Sequence, residues 1–339
     1  MSKKILHIAG CDKFIPPFIE FVKEYFDFSA HDFLLMNGMA SKELKITPNV
    51  HHSKRSIPSR LKHYWQAMIK MHQADKVILH GLFDIYLVII LFFMPWLLKK
   101  CYWIMWGGDF YFPEKQSWIK KQVIKKMGYL ITSMRGDYKY VKQYYRIKGK
   151  RIDCFVYPSN LYKEYNIKPK KSSTINIQLG NSADPTNNHF EVLEQLVKCK
   201  NEDIKIFTPL SYGNEEYSQS VITKGKELFG EKFISLTEFM TFEKYLEFLS
   251  EIDIAVFAHK RQQAMGNIIT LLGLGKKIYL RSDITTWDEF KEMGIEIYDV
   301  AKIDLELIGN KTKKNNIQKI KNKYSRINLI KDLTRVFDE

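Results

Sequence analysis

Nine consecutive residues, His259-Lys260-Arg261-Gln262-Gln263-Ala264-Met265-Gly266-Asn267, hold the richest set of chemistry-bearing groups in this chain. They follow a strongly apolar, strand-like run and lead directly into the helical pattern GNIITLLGLG (266–275). A helix start presents free N–H groups and a partial positive charge, so it receives anions. Lys260 and Arg261 add positive charge, and Gln262 and Gln263 offer amides with no competing charge. Such a stretch could hold a diphosphate without a metal ion. A capped helix behind a basic loop would use the same residues.

Three further groups end strand-like runs, where ligands of open α/β sheets bind. Gly180-Asn181-Ser182 combines a close-approach glycine with two side chains able to donate to phosphate oxygens. Tyr212, in TPLSYG (208–213), could stack on or hydrogen-bond a base or sugar. Trp106-Gly107-Gly108-Asp109 predicts a sharp turn with Asp109 projecting into a cleft between domains, where a carboxylate could take or orient an acceptor hydroxyl. His7 and Asp12 flank the first strand, and His80 ends a neighbouring one, at the same candidate acceptor side as Gly107 and Gly108. Ordinary turns with capping Ser or Asp, and structural histidines, would read the same way. No HxxxH, HExxH, DxD or dense Asp pattern offers a metal grip, so metal-independent chemistry is expected, with no cofactor.

The elements that would position these groups alternate along the chain. Strand patterns at 3–10, 32–38, 75–82, 100–109, 129–137 and 153–159 are interleaved with helical ones near 17–26, 59–72 and 84–98. A second series follows: strands at 174–182, 203–213, 232–239, 253–263 and 276–283, with helices at 189–199, 215–230, 241–252 and 266–275. Gly230 is a plausible stop and Thr241 a plausible cap. This rhythm predicts mostly parallel sheets with helices on both faces. The lysine-rich, proline-containing stretch 163–171 marks a linker. The expected division is a Rossmann-like domain over 1–165, a second over 172–308, and a helical tail over 309–339.

A chain of 339 residues accommodates two domains, each with its own core. Apolar residues make up 45% and charged residues 27%, the composition of a folded protein. Basic residues exceed acidic ones, 53 to 38, giving +15, which favours polyanionic partners or simply a soluble surface. Cys11, Cys101, Cys154 and Cys199 form no CxxC pair, which argues against a zinc site and for a reducing compartment. The start MSKKILHIAGCD lacks the features of a signal peptide. IYLVIILFFMPWLL (85–98) is too short for a spanning helix and holds Pro95, so it reads as buried or interfacial. Basic and aromatic residues interleave at 54–65 and 118–127. In the latter, Lys120, Lys121, Lys125 and Lys126 are candidates to face an anionic membrane. An ordinary amphipathic surface helix remains the alternative. No nucleic-acid-binding module is recognisable.

WGGDFY (106–111), GNSADPTNNH (180–189), TPLSYGNEEY (208–217) and RQQAMGN (261–267) together resemble the TDP-N-acetylfucosamine:lipid II N-acetylfucosaminyltransferases of glycosyltransferase family 56. The resemblance implies a GT-B fold, two Rossmann-like domains about a cleft, and a donor of the dTDP-4-acetamido-4,6-dideoxygalactose type. It also implies a polyprenyl-diphosphate-linked saccharide acceptor at the cytoplasmic face of the bacterial inner membrane, as in surface polysaccharide synthesis. By that analogy Gly180, Asn181, Ser182, Tyr212, Gln262, Gln263, Gly266 and Asn267, with Arg261 and Met265 of the same stretch, line the donor site, and Asp109 faces the acceptor. A sugar-nucleotide epimerase on a similar fold, or a non-enzymatic binding module for membrane or nucleic acid, are the rival readings.

Overall fold

The computed structural model describes residues 3–10, 12–36, 47–52, 56–164, 170 and 172–338. Cys11, part of the expected 32–38 strand, Lys54 and part of the expected linker lie outside the described residues. The chain divides into two compact units, one of 1–159 with 326–339 and the other of 160–325.

The first unit is built, in chain order, from β1 (Ile5–Ala9), α1 (Ile15–Tyr25), β2 (His31–Leu35), β3 (Val50–His52), α2 (Ile57–Gln73), β4 (Lys76–His80) and α3 (Ile85–Phe93). There follow β5 (Cys101–Ile104), the single-turn α4 (Gly107–Phe110), α5 (Trp118–Lys126), β6 (Tyr129–Ile131), α6 (Arg135–Tyr145) and β7 (Lys150–Ile152). Its strands form one parallel sheet in the order β3-β2-β1-β4-β5-β6-β7. Strands covered on both faces read as continuous apolar runs, and β1, β4 and β5 are buried at every position. Ala9 lies opposite both Leu35 and His80, and His80 opposite Ile104, so β1, β2, β4 and β5 end level.

The second unit contains β8 (Ile175–Leu179), α7 (His189–Leu196), β9 (Ile204–Pro209), α8 (Glu215–Phe229), β10 (Phe233–Leu236), α9 (Phe242–Glu251) and β11 (Ile254–Phe257). These are followed by α10 (Met265–Gly273), β12 (Lys277–Leu280), α11 (Thr285–Glu292), β13 (Tyr298–Asp299) and α12 (Asn310–Lys323). The parallel sheet runs β10-β9-β8-β11-β12-β13. Gly230 ends α8 with φ +54°, and the Thr241 hydroxyl accepts the Lys244 N–H as the cap of α9.

Several local expectations are corrected. The strand expected over 129–137 stops at Ile131 because α6 begins at Arg135. The strand expected over 153–159 lies earlier, at Lys150–Ile152, where Tyr129–Ile131 offers a pairing partner. The expected tail is split between the units. α12 packs on α10, with Ile320 fully buried, whereas α13 (Arg326–Asp338) belongs to the first unit. The last turn of α13 is held by Lys76, whose ammonium donates to the carbonyls of Val336 at 2.5 Å and Phe337 at 3.1 Å. A cation placed there satisfies carbonyls that have no partner within the helix.

The apolar run at 85–98 is only half buried. α3 ends at Phe93 ahead of Pro95, and a 3₁₀ turn spans Pro95–Lys100. Leu87, Val88, Leu91, Leu97 and Leu98 enter the core, while Ile85, Tyr86, Phe93 and Trp96 are exposed. No helix among the described residues is long and apolar enough to cross a membrane. Cys101, Cys154 and Cys199 are free and buried.

Candidate functional site

The second sheet reverses its winding between β8 and β11, since β8 leads to β9 on one side while β11 lies on the other. The loops after neighbouring strands diverge at such a point and leave room for a ligand. Three loops emerge at this edge: Gly180–Ser182 after β8, Leu210–Gly213 after β9, and Ala258–Ala264 after β11.

Gly180 has φ +66°, and a Cβ there would lie 2.6 Å from His189 Nε2 and 2.7 Å from Asn187 Oδ1. Only glycine makes this turn without displacing both side chains. Asn187 ties the turn together. Its Oδ1 accepts the Asn181 N–H at 2.9 Å, and its Nδ2 donates to Ser182 Oγ at 3.2 Å and to the Asp184 carbonyl at 3.0 Å. His259 Nε2 lies 2.9 Å from Asn187 Oδ1 and 3.1 Å from Asn181 Oδ1. Both partners are acceptors, because each amide nitrogen donates elsewhere, Asn181 Nδ2 to the Tyr212 hydroxyl at 3.0 Å. His259 therefore carries its proton on Nε2. Burial, then the charge of Arg261, lowers its pKa to about 3, so the ring is neutral.

The helix start expected at Gly266 is reached one residue earlier. Ala264, at φ +58°, turns the chain into α10, which begins at Met265 with no side-chain cap. Met265 is buried, while Gly266 and Asn267 are partly exposed, so the first turn is open. Asn267 Oδ1 accepts from the Tyr245 hydroxyl at 3.0 Å. The side-chain amide of Gln263 lies 3.0 Å from the Thr186 hydroxyl, which donates to Asp184 Oδ1 at 2.6 Å, joining the loop before α10 to the loop after β8. Arg261 and Gln262 are half-buried on the same loop. Burial raises the pKa of Asp184, but the Thr186 hydrogen bonds and the charge of Arg261 outweigh it and keep the carboxyl below its ordinary value. The structure thus gathers Gly180, Asn181, Ser182, Tyr212, Gln263 and the α10 turn at one sheet edge. Sequence reasoning did not single out Asn187, Thr186, His189 or Tyr245. The Asn187-Asn188 doublet just before α7 was the available signal, but its bonds to the loops after β8 and β11 depend on the sheet.

In the first unit the expected projection of Asp109 is corrected. Its carboxylate is fully buried beneath the turn and receives three donors. Oδ2 accepts the Trp103 indole N–H at 2.8 Å and the Leu82 N–H at 2.9 Å, and Oδ1 accepts the Trp106 N–H at 3.1 Å. Asp109 lies in the first turn of α4, where the tight Gly-Gly step lets it reach back to its own N-cap. Burial raises its pKa to about 7, against the opposing charge of Lys120 and those hydrogen bonds. What reaches the surface here is Gly108 and the Phe83 ring, while Gly107 is buried.

His7 and His80 are also corrected from an open cleft to the interior. His7 Nε2 lies 2.9 Å from His31 Nδ1, His7 Nδ1 lies 3.1 Å from His80 Nε2, and His80 Nδ1 lies 2.9 Å from the Tyr157 hydroxyl. This column crosses β2, β1 and β4, and Tyr157 continues it to the Trp106 indole at 3.2 Å. Asp12 is exposed and accepts the Phe14 N–H at 2.8 Å, turning the chain into α1. Of the candidate membrane-facing lysines, Lys125 and Lys126 are exposed and Lys121 is half-buried. Lys120 is half-buried as well, its ammonium 6.0 Å from the centroid of the exposed Phe83 ring; burial lowers its pKa and the charge of Asp109 opposes that shift. Among the described residues no group of three or more His, Cys, Asp or Glu is arranged to hold a metal ion.

Residues 21–331 match the model of a glycosyl transferase group 56 family described as 4-alpha-L-fucosyltransferase. Among solved structures, HepE of Anabaena in complex with UDP and glucose is similar with a TM-score of 0.70 at 12% identity, over 99% of this chain and 100% of that one. A glycosyltransferase from Rickettsia africae gives a TM-score of 0.66 at 13% identity, over 99% and 98%. A UDP-forming alpha,alpha-trehalose-phosphate synthase from Burkholderia xenovorans gives 0.66 at 8% identity, over 100% and 99%. The fold these likenesses share with the two Rossmann-like sheets described above is GT-B.

Proposed function

Because the chain belongs to glycosyltransferase group 56 and is a sugar transferase, we propose that it moves a 4-acetamido-4,6-dideoxygalactose-type sugar from a dTDP-sugar to a polyprenyl-diphosphate-linked saccharide. The work is placed at the cytoplasmic face of a bacterial inner membrane, in surface polysaccharide synthesis. Transferase membership takes precedence over the epimerase and over a non-enzymatic module.

The observation that carries the donor half is the open first turn of α10 at the winding reversal of the second sheet, with Arg261, Gln262 and Gln263 on the loop before it. Backbone N–H groups and a guanidinium aimed at a departing diphosphate stabilise charge that grows as the sugar bond breaks. On this reading the helix turn and Arg261 would provide that stabilisation in place of a metal ion. Tyr212, which accepts from Asn181 and is half-exposed, would on this reading contact the nucleoside or sugar. UDP bound to HepE supports a nucleotide-sugar donor by likeness of fold.

The acceptor half is assigned to the first unit, at the level strand ends of β1, β4 and β5. Asp12, Gly108 and Phe83 are exposed there, and Asp109 shapes the turn from below. Asp109 is on this reading a positioning residue.

Calorimetric titration with dTDP, UDP and GDP tests the donor site, with dTDP expected to bind most tightly. Mass spectrometry of a lipid-linked acceptor after incubation with dTDP-sugars tests transfer, with a mass gain of one deoxyamino sugar expected. Absence of binding to all three nucleotides overturns the proposal.

A further inference from the structure

Helix α2 carries two apolar stripes on opposite sides. His63, Ala67 and Met71 face the core and are buried. Ile57, Leu61, Trp65 and Ile69 recur at the same four-residue spacing and face outward, with Leu61 66% and Trp65 63% exposed. Two residues of offset in an α-helix is about 200° of rotation, so the second stripe is nearly opposite the first. A surface helix ordinarily places polar residues there.

The exposed apolar surface continues past α2. Phe93 is 69% exposed, Trp96 56% and Trp118 64%, on α3, the following 3₁₀ turn and α5. Side-chain contacts join these elements. Tyr64 meets Tyr86 with ring centroids 5.4 Å apart, and Phe92 meets Trp118 at 5.4 Å. The Trp96 indole N–H donates to His72 Nε2 at 3.3 Å. Contiguous exposed apolar surface of this kind marks an interaction site.

Charge identifies the partner. No Asp or Glu occurs in 56–74, 85–108 or 117–128, the segments that contain α2, α3, the 3₁₀ turn and α5. Asp84, just before α3, is engaged by the N–H groups of Tyr86 and Leu87 and by the Tyr64 hydroxyl. Arg60, Lys62, Lys99, Lys125 and Lys126 are all exposed on these same elements. Exposed indoles and phenyl rings among lysines, with no carboxylates, suit the headgroup layer of an anionic bilayer, where tryptophan settles and each lysine gains from the surface potential.

We propose that α2, α3, the 3₁₀ turn and α5 form a monotopic membrane-docking face, with the Ile57-Leu61-Trp65-Ile69 stripe lying in the interface of an anionic bilayer. The proposal rests on the membrane-linked acceptor in the reading above and names the surface that brings the enzyme to it. The occupant is the lipid surface, reached without a spanning helix.

The test is flotation of the full chain with vesicles of phosphatidylglycerol and phosphatidylcholine, against phosphatidylcholine alone, across a salt series. Flotation on the anionic vesicles is expected, with a blue shift of tryptophan fluorescence. Leu61→Glu with Trp65→Glu should reduce the partition coefficient about tenfold or more, as should Lys125→Glu with Lys126→Glu at low salt. Both pairs should keep the melting temperature and the dTDP affinity of the parent, which separates failure of docking from failure of the donor site. Unchanged flotation in the Leu61/Trp65 pair overturns the proposal. So does a concentration-dependent dimer that the Leu61/Trp65 pair abolishes, without vesicle binding by the parent, because the face would then belong to a second copy.

Discussion

The indole N–H of Trp103 donates to Oδ2 of Asp109 across 2.8 Å, inside the first sheet's core. Six residues apart in sequence, the two sit on β5 and on the helical turn that follows it. The same oxygen takes the Leu82 N–H, so one carboxylate joins the loop after β4 to the loop after β5.

Replacing Asp109 by Ala leaves these buried donors without an acceptor. Each such loss costs about 1–3 kcal/mol, so a destabilisation of about 3 kcal/mol or more is expected. Chemical denaturation measures it. With the donor site proposed in the second unit, nucleotide affinity should stay unchanged. Parent-like stability with abolished transfer would instead place Asp109 at the reacting atoms.

Arg261→Ala removes a guanidinium from the loop leading into α10. Hydrogen bonds to charged groups contribute about 1.5–3 kcal/mol, so dTDP affinity should fall by about 10- to 100-fold. The side chain is half-buried and donates to the carbonyl of its neighbour Gln262 at 3.2 Å, so the melting temperature should change little. Calorimetry with unaltered affinity would count against the α10 turn as the diphosphate site.

Gly180→Ala tests the geometry of the turn after β8. An L side chain at φ +66° is strained by about 1–2 kcal/mol, and its Cβ also collides with His189 and Asn187. A lower melting temperature together with weakened dTDP binding is expected. Scanning calorimetry and titration on one preparation read both, and a parent-like variant would show that the turn is not held as described.

The buried histidines predict acid lability. Burial first, then its histidine neighbours, holds His7 well below its ordinary pKa, and burial lowers His31 and His189 to about 4 and His80 and His259 to about 3. A histidine with a depressed folded pKa gives stability that is complete above its unfolded value near 6.5 and is lost as pH falls towards the folded one. Each should cost on the order of 1 kcal/mol per pH unit in that window. Asp109 acts oppositely, because its raised pKa gives stability that is lost as pH rises from about 4 through about 7. His52 and His63 are lowered by burial as well and Asp12 is raised, so seven histidines stand against two carboxyls and acid destabilisation is the net result. The melting temperature should fall steadily from pH 6.5 to 4.5, and less steeply in His80→Gln.

Most of the alternation of strands and helices, the glycine stop at Gly230, the Thr241 cap and the start of α10 near Gly266 were legible in the residues, whereas β3, α6, α11 and β13 were not. Each legible feature depends on neighbours within a turn or two: the apolar period, the capping hydroxyl, the residue able to take a positive φ. The apolar run at 85–98 was legible in its length and its Pro95, but not in which of its faces would stay bare.

What depended on distant partners could not be read that way. His7, His31 and His80 lie 24 and 73 residues apart and meet only because β1 pairs with both β2 and β4. Asp109 looked like a group at a loop tip, and it lies inside because Leu82, from another strand's loop, closes over it. The end of the chain divides between units, with α13 burying Leu329, Leu333, Val336 and Phe337 and Lys76 donating to the carbonyls of its last turn. Local periodicity dictates which elements form, whereas the desolvation and pairing of a polar side chain follow from the sheet that surrounds it.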